Sequence, residues 1–156
     1  MAWSSVLSDT AQSLEDRVTT FYLRHIEDED GIGLRLFLRA ALDGWSLPLR
    51  MTDLLIDKLV RPLIGEMRRN AKLPDYAATP LMVGEFELVM SLHASVIFYS
   101  IRAHIYGTEM PADAPSVVRL YVNAFLSGAA SSMAALHGPG APADLKLPAG
   151  AVKAKV

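Results

Sequence analysis

The chain has 156 residues and a mass of 17.0 kDa, enough for one domain that buries roughly two thirds of its unfolded surface. Hydrophobic residues make up 51% and the mean hydropathy is +0.25, which excludes general disorder. A net charge of -2 excludes a strongly basic nucleic-acid binder, and the absence of cysteine excludes disulfides, thiol catalysis and cysteine-based metal sites.

The apolar spacing between turn-forming residues is helical throughout, and no segment alternates with period two. A first helix is predicted from Ser5 to Glu27, with Leu14, Val18, Phe21, Tyr22 and His25 on one face. Ser13 followed by Asp16 reads as a capping box inside it. A second helix is predicted over Gly31–Leu42, with Asp30 as N-cap and Gly44 as stop. A third runs from Leu47 to Ala71. Pro62 lies inside it and cannot donate to the Lys58 carbonyl, so a kink or break is expected at Lys58–Arg61. A fourth is predicted from Thr79 as N-cap, through Pro80, to Tyr106. A fifth runs from Ala114 to Leu136 and ends at Gly138-Pro139. The expectation is an all-α bundle of five to six helices over residues 1–136, followed by a disordered tail over 137–156.

No membrane span and no secretory signal are expected. Leu88–Ile101 is uncharged but too short to cross a bilayer, and Leu120–Ala143 is broken by polar residues and by Gly138-Pro139-Gly140. The default location is the cytoplasm. The same two stretches point to a partner. A helix that is apolar on every side needs cover on every side, and five helices of this size cannot enclose one completely. The fifth helix carries small residues at Ala124, Gly128, Ser131 and Ala135, a spacing that keeps them on one face and permits close backbone approach. These four, with Leu92, Ser95 and Tyr99 of the fourth helix, are the expected homodimer interface, built from two helices of each subunit.

Catalytic chemistry is poorly represented. There is no HExxH or ExxH motif, and His93 and His104 sit roughly 16 Å apart along one helix, too far to share a metal. Glu27–Gly31 lacks the ligand spacing of a calcium loop and reads as a solvated corner. Neither cofactor nor metal is expected. His93, mid-helix on an apolar face, is either a core histidine or a polar group facing a ligand cavity. The expected pocket residues are Tyr22, Phe37, Trp45, Met51, Leu55, Phe86, Met90, His93 and Ile97, a set of aromatics, methionines and one imidazole suited to an apolar small molecule. The same residue types also build ordinary cores.

Asp30–Gly44, Val60-Arg61-Pro62-Leu63-Ile64 and Leu92–Gly107 resemble the C-terminal regulatory domain of TetR/AcrR-type transcriptional regulators over roughly residues 14–136. The resemblance implies that the earlier helices frame an effector pocket and that the last two form a dimer bundle. It also implies an N-terminal helix-turn-helix, for which this sequence has no counterpart, so the chain by itself is not expected to bind an operator. Two alternatives stand beside this reading. One is a ligand-free interaction module, the other a small all-α enzyme using His93.

Overall fold

The computed structural model describes residues 3–26 and 31–149, and the side chains at 3–5 and 25 lie outside that description. The expected Asp30 cap, the acidic corner at 27–30, the face occupied by His25 and the tail beyond residue 149 therefore fall outside the described residues. Within them the architecture is all-α, with six helices of nine residues or more and no strand.

The first predicted helix divides into α1 (Trp3–Ser8) and α2 (Leu14–Ile26). Asp9 causes the break: its carboxylate accepts the Ala11 N–H at 3.1 Å and the Gln12 side-chain amide at 2.9 Å, a local turn that competes with helical bonding. Helix restarts at Ser13, whose hydroxyl oxygen accepts the Asp16 N–H and whose proton goes to the Asp16 carboxylate. α3 (Ile32–Leu42) follows Gly31, which has φ 63°. A Cβ at Gly31 would lie 2.4 Å from the Cβ of His104, so both backbone sign and space demand glycine.

α4 (Leu47–Leu55) and α5 (Arg61–Asn70) are joined by one turn of π-helix, Ile56–Val60. Pro62 is the second residue of α5. The Arg61 N–H donates to the Ile56 carbonyl, five residues back. The widened turn is how the chain admits a proline that lacks a donor, and it realises the break expected at Lys58–Arg61.

α6 spans Val83–His104, starting three residues later than Thr79 and Pro80 predict. The reason is tertiary. Arg68 captures the Thr79 and Pro80 carbonyls at 2.6 and 3.0 Å, and Leu81–Val83 runs alongside the C-terminal segment. There the Val83 N–H donates to Leu147 O at 2.8 Å and the Ala149 N–H to Leu81 O at 2.7 Å. This pairing corrects the expected disordered tail: residues 138–149 fold back over the start of α6, with a short 3-10 turn at Ala143–Lys146. Gly84 permits the approach, since a Cβ there would sit 2.4 Å from Leu136 and 3.2 Å from the Leu145 backbone. α7 (Ala114–His137) is capped by Asp113, which accepts the Ser116 N–H at 3.1 Å.

α6 and α7 are antiparallel: Glu85 near the start of one meets His137 at the end of the other, and Tyr99 reaches the Pro111 carbonyl at the far end. α2 and α6 both pack on α7. The core joins Val18, Tyr22, Leu59, Leu63, Ile64, Val89, Val96, Val118, Val122 and Met133.

Candidate functional site

Three regions bear on function: the interior around Tyr22, the outer face of α6 and α7, and a cleft beside α5 that sequence reasoning missed.

Of the nine expected pocket residues, Tyr22 and Leu55 are buried in the main core, and half-buried Phe86 and Met90 pack against it. Phe37, Met51, His93 and Ile97 are also half-buried. Trp45 is a correction. It is 66% exposed, because it lies in the connection after α3, where the surface turns outward at Gly44. The structure brings Tyr22 and His93 together, with ring centroids 5.9 Å apart. The Tyr22 hydroxyl and the neighbouring Thr19 hydroxyl are buried without a hydrogen-bond partner among the described residues. Burial pushes the Tyr22 phenol pKa far above its usual range, so it stays a neutral donor.

The seven expected interface residues separate into two groups. Ser95, Ala124, Gly128, Ser131 and Ala135 are exposed. Leu92 and Tyr99 are corrections: they are 2% and 7% exposed and belong to the domain's own core. They share the α6 stripe of Val89 and Val96, which faces inward, so the outward strip runs instead through Ser91, Ser95 and Phe98. On α7 it runs through Leu120, Ala124, Gly128 and Ser131, with no charged side chain. A Cβ added at Gly128 would meet nothing within 4 Å.

The unforeseen region centres on buried charge. Arg68 and Glu85 are 1% and 0% exposed and form a paired contact at 2.7 and 2.6 Å. The other Glu85 partners are the Met82 N–H at 3.0 Å and His137 Nε2 at 3.0 Å. Burial works to raise the Glu85 pKa, but the Arg68 guanidinium, the Met82 N–H and His137 together hold it below the ordinary carboxylate value. Arg17 forms a second ion pair, with Glu66 at 2.8 Å, and donates to the Leu7 carbonyl at 2.7 Å. Both arginines line a cleft of about 560 Å³ between α1, α2, α5 and the loop that carries Tyr76. Another cleft, of about 750 Å³, lies under the folded-back C-terminal segment beside Gly84, Ser91 and Ala135. None of the nine expected pocket residues lines either cleft. An arginine on an amphipathic helix ordinarily lies on its solvated face, and nothing local in the sequence marks Arg68 as buried.

Among the described residues no group of three histidine, aspartate or glutamate side chains is placed to hold a metal ion. No helix formed by them is long and apolar enough to cross a membrane. Comparison with known proteins finds no matching family model, no matching curated protein and no matching solved structure.

Proposed function

We propose that this chain is a homodimerising, effector-sensing domain of the kind its resemblance to TetR/AcrR-type regulators implies. Two copies pair through the outer strips of α6 and α7, and the earlier helices form the sensing lobe. One observation carries the reading: Gly128 sits mid-helix with open space beyond it, on a strip without charge. A glycine in a helix interior costs about 1 kcal/mol relative to alanine. Nothing in its own subunit requires that cost, whereas a second helix approaching closely does.

The effector part of the reading draws on the Tyr22 and Thr19 hydroxyls. An apolar small molecule with one hydrogen-bonding group, admitted between α2 and α6, relieves these unpaired donors. It acts by binding one packing of the two helices better than another, since equal affinity for both shifts nothing. DNA reading belongs to a separate head in a full-length regulator, and a cytoplasmic location accompanies that role. A ligand-free interaction module is the second reading, favoured by the absence of the expected pocket residues from both clefts.

Sedimentation tests the dimer. At micromolar concentration the wild-type chain is expected to run as twice 17.0 kDa. Gly128→Arg is expected to run as a monomer with unchanged helical circular dichroism, because its side chain enters open space in the lone subunit. A monomeric wild type overturns the proposal.

A further inference from the structure

The cleft beside α5 has a composition that none of the packing around it explains. Its lining holds five cationic side chains, Arg17, Lys58, Arg61, Arg68 and Arg69, against three carboxylates, Asp57, Glu66 and Asp75. Glu66 is taken by Arg17, and Asp57 faces Arg61 at 3.5 Å. Asp75 accepts the Ala77 and Ala78 N–H groups. Arg68 has its partner in Glu85, behind the cleft wall. Lys58 and Arg69 are left, and among the described residues neither has a carboxylate within 4 Å.

These two cations flank an apolar floor. Lys58 comes from the π-turn and Arg69 from the last turn of α5, with Pro62 and Gly65 between them along the cleft. A Cβ at Gly65 would meet the Tyr76 ring at 3.5 Å and Arg69 Nη1 at 3.7 Å, ordinary contact distances, so the floor at this point lies directly against the ring and the guanidinium. The Tyr76 ring is fixed from both sides. Arg68 lies over it at 4.6 Å, and its hydroxyl donates to the Arg61 carbonyl at 2.9 Å. Burial raises the Tyr76 pKa to about 12, so the ring adds no negative charge to the cleft. Leu7 and Leu73 complete the apolar wall. The volume falls within the range of small-molecule sites, which combine apolar walls with a few convergent polar groups.

We propose that this cleft binds a small amphipathic carboxylate, its apolar body on Pro62, Gly65, Leu73 and Tyr76 and its charge on Arg69. A guanidinium offers two parallel donors to a carboxylate, and Lys58, roughly 16 Å away along the helix axis, keeps the far end of the floor positive. The site lies away from the α6/α7 strip and from the Tyr22 interior, so it stands or falls separately from the dimer.

Isothermal titration of the full chain with phenylacetate, 2-phenylethanol and acetate tests it. Phenylacetate is expected to bind, and at least tenfold more tightly than either the uncharged alcohol or the body-less acetate. Lys58→Ala combined with Arg69→Ala is expected to weaken phenylacetate binding at least tenfold with the circular dichroism spectrum retained. Gly65→Leu keeps every charge but fills the floor, and is expected to abolish binding. Failure of phenylacetate to bind, equal binding of phenylacetate and the alcohol, or unchanged binding in either variant overturns the proposal.

Discussion

The two ends of the α3–α5 segment invert the usual rule about what lies inside a protein. At the α5 end Arg68 is buried with Glu85, and every heavy donor of its guanidinium is used, on Glu85 and on the Pro74, Thr79 and Pro80 carbonyls. At the α3–α4 end large apolar side chains face outward: Leu36 is 64% exposed, Leu42 85% and Trp45 66%. α3 packs chiefly on α4, and Ala40 is its one buried residue. The difference shows that hydrophobicity alone did not choose the core. Arg68 is inside because it satisfies a loop whose carbonyls otherwise have no donor. Leu42 and Trp45 are outside because the hairpin that carries them has little to pack against.

The largest expected effect breaks the buried end. Arg68→Ala leaves the buried Glu85 carboxylate with only the Met82 N–H and His137 and strands three carbonyls, so a loss of about 3–5 kcal/mol is expected in urea unfolding. Arg68→Met, which keeps the volume, is expected to remain less stable than wild type because the loop carbonyls still lack donors.

An intermediate effect sharpens the comparison through pH. The folded Glu85 pKa lies below its unfolded value, so its contribution is complete above the unfolded pKa of about 4.3. It is lost as the pH falls from there through the folded value, when the carboxyl protonates and Arg68 loses its counter-charge. Asp16, bonded to Ser13 and Arg119, and Asp113, bonded to Ser116, are shifted the same way. Wild-type urea midpoints are therefore expected to drop steeply below about pH 4, and Glu85→Gln is expected to make that drop shallower.

The smallest effect concerns the exposed end. Leu42→Ser and Trp45→Ser are expected to change stability by no more than about 0.5 kcal/mol, since both side chains lie mostly in solvent. A larger loss by thermal unfolding shows that the hairpin is covered in solution.

Much of the local architecture was legible. The Ser13–Asp16 box, the Pro62 break and the glycine stop at Gly44 are short-range devices, and each appears where its residues stand. The small-residue strip of α7 was legible too, because helical period assigns a face. Which face of α6 turned inward was not. Its residues are apolar on several sides, so Leu92 and Tyr99 could be placed only once α2 and α7 were seen against them. The α5 cleft was illegible for a related reason: Leu7, Arg17, Lys58 and Tyr76 are far apart in sequence and share no motif.

Helix, turn and cap follow from contacts a few residues long, so the sequence by itself determined an all-α domain with charge-poor late helices. Tertiary structure alone decided that Arg68 and Glu85 go inside, that residues 138–149 return to the start of α6 and that Trp45 stays in solvent. Those outcomes depend on which distant carbonyl, carboxylate or apolar face comes within reach, and such pairings are set by packing rather than by local spacing.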